Sequence, residues 1–256
     1  GLVSIFVLLL AMMMYLRFLA KKKSSQLLEK QNKIIEQERQ RSDELLYNIM
    51  PVEVAQELKE KGSATAQQFP EATVLFTDFK NFTTIAERLT PEALVKELNN
   101  CFKAFDHIIS HHSGIEKIKT IGDAYLCASG LVKHKTIPSE IVKAALEMQE
   151  FLDDHKQERM RQGLPYFEAR IGIHTGPVVA GVVGFKKFAY DIWGDTVNIA
   201  ARMEEQCEPG QVNISETTYS LVKYNFECQS RGRIPVKNKG MMEMYYVTGQ
   251  RKTTNP

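Results

Sequence analysis

The chain has 256 residues, is 43% hydrophobic and 25% charged, and carries a net charge of +2 from 33 basic and 31 acidic residues. That composition excludes a wholly disordered chain and a multi-span membrane protein, and the near-balanced charge leaves no electrostatic footprint for nucleic acid. The four cysteines, Cys101, Cys127, Cys207 and Cys228, show no CxxC pair and no metal-ligand spacing, so they read as free thiols in a reducing compartment.

Residues 1–16 carry no charge and are nearly all apolar, and the run closes on Arg17 and Lys21, Lys22 and Lys23. As a helix it is about 24 Å long, short of the roughly 30 Å hydrocarbon core. Because the chain opens on Gly, we expect a span that continues upstream. The basic residues follow the apolar run, which is the wrong order for a signal peptide. Residues 1–20 are therefore expected to be the end of a transmembrane helix, with everything after Lys23 in the cytoplasm. A buried core helix is the other reading.

From Ser24 to Lys61 the chain has no Gly and is rich in Glu, Gln, Lys, Arg and Leu, all helix formers. A heptad frame places Leu28, Ile35, Ser42 and Ile49 at one seam position and Gln31, Glu38, Leu45 and Val52 at the other. Half of these are polar, so residues 21–62 read as a marginal coiled-coil stalk, or else as a solvated helix. Pro51 is expected to open a new helix ending near Gly62.

Beyond the polar stretch Ser63–Gln68, strands and helices alternate. Strands are expected at Thr73–Phe79, two within Gly114–Leu131, Phe167–Thr175, Val212–Ile214, Phe226–Arg231 and Glu243–Thr248. Helices are expected over Thr83–His112 with a break at Thr90-Pro91, then Ser139–Gln162, Asp195–Gln206 and near Thr217–Lys223. The class is α+β, a sheet covered by helices.

Asp78 ends a buried strand and leads into a loop that opens a helix. Asp123 lies in a Gly-Asp turn between two strands. Two carboxylates at neighbouring sheet positions suit a metal pair for phosphoryl chemistry, although an Asp in such a turn also serves simply to satisfy its own backbone. Asn198 and Arg202 are four apart and share a helix face, an arrangement for a polyphosphate or for a plain exposed face. His174 reads as a rim or buried histidine.

The segments FTDFKNFT, EKIKTIGDAYLCASGL, RIGIHTGPVVAGVVG and YDIWGDTVNIAARM together resemble the class III nucleotidyl cyclase catalytic domain, from about Glu71 to Thr248. LLYNIMPVEVAQELKEKG resembles the transducing element that precedes such domains in membrane cyclases. The resemblance implies a ferredoxin-like α+β core over residues 63–256 and a head-to-tail homodimer with active sites at the interface. It implies two Mg²⁺ or Mn²⁺ per site, held by Asp78, Asp123 and the Phe79 carbonyl. Residues Phe79, Lys80, Asn81, Phe82 and Thr83 match the loop under the triphosphate, and Gly122 lies beside the nucleotide. Lys119 and Asp191 match the pair that reads the purine, and Asn198 and Arg202 the ribose-orienting and transition-state residues. Lys237, or Lys239 close by, matches a triphosphate contact.

Adenine offers an amino donor and a ring-nitrogen acceptor, complementary to Asp191 and Lys119, whereas guanylyl members of the family usually carry Glu and Cys there. The expectation is a membrane-anchored adenylyl cyclase turning ATP into cyclic AMP and pyrophosphate. A guanylyl cyclase and a non-catalytic dimerisation module of the same fold are the alternatives.

Overall fold

The computed structural model describes residues 1–131, 137–184 and 186–251. The last five residues of the expected catalytic domain lie outside this set. The chain divides into two compact units, residues 1–64 and a second from Thr65 onward.

In the first unit, helix α1 (Leu2–Tyr47) runs without a break through both the apolar run and the charged stretch, and α2 (Val52–Lys61) follows. Pro51 fixes the backbone just ahead of α2, and Gly62 ends it with φ +72°, a conformation that glycine adopts without steric cost. Lys59 pairs with Asp43 at 2.5 Å, joining α2 to α1. Among the described residues α1 is the one helix long and apolar enough to cross a membrane.

The second unit is built on an eight-stranded sheet. Strand β1 (Gln67–Phe79) is followed by α3 (Phe82–Ala86), α4 (Pro91–Ser110), β2 (Ile115–Ile121), β3 (Ala124–Ser129), α5 (Pro138–Arg161) and β4 (Ala169–Val183). These give a β-α-β-β-α-β unit with spatial order β2-β3-β1-β4, the ferredoxin-like arrangement. Next come β5 (Ala189–Trp193), α6 (Asp195–Glu205), β6 (Val212–Ser215), α7 (Glu216–Val222), β7 (Phe226–Val236) and β8 (Gly240–Gln250). β6 pairs parallel to β4, β8 and β7 extend the sheet, and β5 pairs with the far half of β4.

Local chemistry explains the main boundaries. The Thr90 hydroxyl accepts from the Ala93 N–H at 3.2 Å and Pro91 follows at the first helical position, which starts α4 at the expected break. α4 buries Cys101, Phe105 and Ile109 at four-residue steps, and α5 buries Ile141, Val142, Ala145, Met148 and Leu152. Both stripes meet Leu75 and Phe79 of β1 and Ile171 and Ile173 of β4 in one core. Strand alternation sends Asp78, Arg170, Gly172 and His174 to the opposite face. There α6 seats so closely that a Cβ at Gly172 would lie 2.0 Å from the Glu204 backbone nitrogen.

Several strands run longer than expected: β1 begins at Gln67 rather than Thr73, β7 ends at Val236 rather than Arg231, and β8 spans Gly240–Gln250 rather than Glu243–Thr248. β4 continues past Gly176-Pro177 to Val183, because Pro177 falls at a register shift opposite Pro70 of β1, where no ladder N–H is required. β5 was not expected at all.

His112, at the end of α4, is clamped to α5 by Glu140 (2.9 Å) and Glu147 (3.1 Å). Burial alone would lower its pKa, but the two carboxylates outweigh that and raise it above the ordinary 6.5. A raised folded pKa makes this contribution complete below pH 6.5 and removes it as pH climbs through the folded value. His112→Gln is therefore expected to lower the melting temperature by about 2 to 4 °C more at pH 6 than at pH 9, read by thermal denaturation at both.

Candidate active site

Asp78 is the second-last residue of β1, in register with Arg170 of β4, and an Arg170 terminal nitrogen sits 3.1 Å from its Oδ2. Because β1 pairs with β3 up to Thr77 and Tyr125, the turn before β3 arrives beside Asp78. Gly122 makes that turn at φ +63°, and Asp123 follows it. Burial, then the neighbouring Asp78 carboxyl, push the Asp123 carboxyl up to about 6, with Arg170 acting in the opposite sense. Converging hard oxygen donors whose charges oppose one another fit a bound divalent cation, which would relieve the repulsion.

Phe79 is buried, its ring stacked 4.7 Å from Phe167. The Lys80 N–H donates to the Glu168 carbonyl at 2.8 Å, and Asn81 takes φ +55° just before α3. The loop from Phe79 to Thr83 is thus held at both ends, with Asn81 and Thr83 exposed.

A second group forms where β2 meets β5. Lys119 Nζ is 2.5 Å from Asp191 Oδ2, while Asp191 Oδ1 accepts from the Ile192 N–H at 2.9 Å. These residues are 72 apart in sequence. Lys119 precedes Asp123 on the same hairpin, so one β-hairpin carries a member of each group.

The third group is α6. Asn198 is exposed, Arg202 is half-buried one turn later, and Arg202 pairs with Glu205. Lys239 pairs with Asp195 at the start of α6, whereas Lys237 is exposed and, among the described residues, makes no ion pair. His174 is buried with its Nδ1 2.7 Å from the Ser215 hydroxyl, and burial lowers its pKa to about 4, so it is neutral at pH 7.

Two charged residues not singled out from the sequence join these groups. Arg170 Nε is 2.8 Å from an oxygen of Glu204, which lies two residues after Arg202 and is 6% exposed. Burial chiefly raises the Glu204 carboxyl to about 7, Arg170 opposing. Arg170 lies inside the RIGIHTG segment, but nothing in local spacing links it to Glu204.

Elsewhere, Glu97, Cys101 and His155 bring three metal-capable atoms together. Glu97 already pairs with His155 at 2.5 Å and with Arg159 at 3.2 Å, and burial, then the Glu97 charge, push the Cys101 thiol up to about 12. A protonated thiol beside a guanidinium is a poor cation site, and the group reads as an ion-pair knot between α4 and α5.

The adenylate and guanylate cyclase catalytic domain family model matches residues 64–249, and a heme NO binding associated model matches residues 11–58. An adenylate cyclase of Mycobacterium tuberculosis is 39% identical over 225 residues, covering 87% of this chain and 50% of its own. Human guanylyl cyclase C is 40% identical over 231 residues, 88% of this chain and 21% of its own. The chain thus spans half or less of these relatives. The crystal structure of the adenylyl cyclase CyaB from P. aeruginosa superposes with TM-score 0.69 at 30% identity, covering 75% of this chain and all of that one. With that fold and these motifs in one chain, the protein belongs to the class III nucleotidyl cyclases.

Proposed function

We propose that this chain is an adenylyl cyclase, turning ATP into 3′,5′-cyclic AMP and pyrophosphate at sites shared by two copies of the chain. The observation that carries the choice of base is the Lys119–Asp191 pair. An ammonium donor and a carboxylate acceptor side by side match the ring nitrogen and amino group of adenine. Guanine presents the reversed pattern and would leave both protein groups facing like partners.

Each half of the machinery has its place in the chain. Asp78, Asp123 and the Phe79 carbonyl would hold two Mg²⁺ or Mn²⁺. When bound, these ions supply Lewis-acid activation of the ribose 3′-hydroxyl and charge neutralisation at the phosphates. The loop Phe79–Thr83 lies under the triphosphate with free N–H groups at the start of α3, Gly122 leaves room beside the nucleotide, and Lys237 contacts the phosphates. Asn198 orients the ribose. Arg202 offsets charge developing on the α-phosphate as the 3′-oxygen attacks and pyrophosphate departs.

In a head-to-tail dimer each site takes its carboxylates from one protomer and Lys119, Asp191, Asn198 and Arg202 from its partner. The apolar part of α1 anchors the assembly in the cell membrane, with the catalytic domain in the cytoplasm. The rest of the first unit serves as the signalling stalk.

The decisive measurement is turnover of ATP against GTP by the purified chain with Mn²⁺ and with Mg²⁺. The expected result is a preference for ATP of about 100-fold or more, the discrimination that a site built for one hydrogen-bond pattern achieves. A preference for GTP would make it a guanylyl cyclase, and no product from either would leave a dimerisation module.

A further inference from the structure

We propose that Glu204 is a positioning residue for divalent-cation binding, acting through Arg170 to keep the Asp78 carboxylate available. This rests on the reading of Asp78 and Asp123 as the cation ligands.

Arg170 lies between two carboxylates. One terminal nitrogen is 3.1 Å from Asp78, and Nε is 2.8 Å from Glu204. A guanidinium binds a carboxylate most strongly when two of its N–H groups engage both oxygens. Nε sits beside the Glu204 carboxylate as an ion pair, without an aligned N–H bond, and Arg170 meets Asp78 through a single terminal nitrogen. Glu204 also divides the positive charge. Asp78, Asp123 and Glu204 gather three carboxyls around one guanidinium, and a cation is attracted to that acidic surplus. Without the Glu204 charge, Arg170 is free to close on Asp78 and to compete with the metal for the same oxygens.

The backbone makes Glu204 fit for this role. Gly172, two residues after Arg170 on β4, lets α6 approach until the Glu204 backbone nitrogen lies where a Cβ would clash. The Asn213 side-chain amide donates to the Met203 carbonyl at 2.8 Å and holds the same turn of α6. The backbone at Glu204 is therefore fixed beside β4, and at 6% exposure the residue is poorly placed for any role that needs solvent.

The test compares the full chain with Glu204→Gln, Glu204→Asp and Asp78→Ala. Mn²⁺ binding is followed by the electron paramagnetic resonance signal of the free ion, cyclase activity against Mn²⁺ concentration, and melting temperature without metal. Gln keeps the shape and hydrogen-bonding capacity while removing the charge. Glu204→Gln is expected to raise the Mn²⁺ midpoint about tenfold in both binding and activity, the low end for outer partners of metal ligands. At saturating Mn²⁺ its kcat should stay within about twofold, with the metal-free melting temperature unchanged or higher. Glu204→Asp, which keeps the charge, should restore the wild-type midpoint. The proposal is overturned if Glu204→Gln lowers kcat and melting temperature at an unmoved Mn²⁺ midpoint, the mark of a structural role. If Asp78→Ala also leaves Mn²⁺ binding unchanged, the cation site itself has been misplaced and Glu204 falls with it.

Discussion

Asp78→Ala is expected to abolish cyclisation, by about 10³-fold or more, because losing a ligand to a catalytic cation costs several kcal/mol of transition-state stabilisation. The fold should survive. Asp78 is at the solvent end of β1, half-buried, and contributes no side chain to the core between the sheet and α4 and α5. Removing one of two converging carboxylates also relieves the repulsion that Asp78 adds to burial at Asp123. The metal-free variant should therefore melt no lower than wild type at pH 8. Asp123→Ala should be equally inactive.

The sharing of sites between protomers makes the result more specific. Arg202→Ala is expected to be inactive on its own. In a mixed dimer of Asp78→Ala with Arg202→Ala chains, one site combines two intact halves and the other combines two damaged ones. Random pairing of equal amounts makes half the dimers mixed, so about one quarter of wild-type activity should return. Recovery is measured by cyclic nucleotide formation after co-refolding, with heterodimers proved by differential tags. Inactivity of proven heterodimers would mean that each chain carries its own complete site.

The second large effect concerns the base. Lys119→Glu together with Asp191→Cys is expected to cut ATP turnover about five- to hundredfold, since a mismatched polar group in a desolvated pocket costs about 1–3 kcal/mol. The contact between the two residues adds a sharper expectation. With Lys119 Nζ only 2.5 Å from Asp191, the single change Lys119→Glu sets one carboxylate against another. That single variant should be less active and less stable than the double one, a non-additivity that a double-mutant cycle would read directly. Dependence on Mn²⁺ should be the same in all three, because Asp78 and Asp123 are untouched. An ATP-to-GTP ratio unchanged from wild type would remove the base-reading role from both residues.

Much of this architecture is legible in local sequence. The apolar run TVLF marks the centre of β1, Thr90-Pro91 marks the start of α4, and the apolar stripes of α4 and α5 repeat at helical spacing. Each of these signals lies within one or two turns of chain, where backbone propensity and side-chain period act directly. The four motifs also bring Asp78, Asp123, Lys119, Asp191, Asn198 and Arg202 to attention one by one. What they leave open is which residues meet. The five residues of β5 are too few to show a period, and β5 exists because the far half of β4 offers it an unpaired edge. β4 in turn runs that far because Pro177 falls where the ladder needs no donor.

The choice between Lys237 and Lys239 is likewise open in sequence, where only Asn238 separates them. In the fold Lys239 is taken by Asp195. The Arg170–Glu204 contact spans 34 positions and depends on a glycine that is neither charged nor polar. Composition, element order and the family came from the chain read residue by residue, because those follow from short-range chemistry. The pairing of Lys119 with Asp191, and of Arg170 with both Asp78 and Glu204, belonged to the tertiary structure, because strand register and the approach of α6 at Gly172 decide which distant charges share a face.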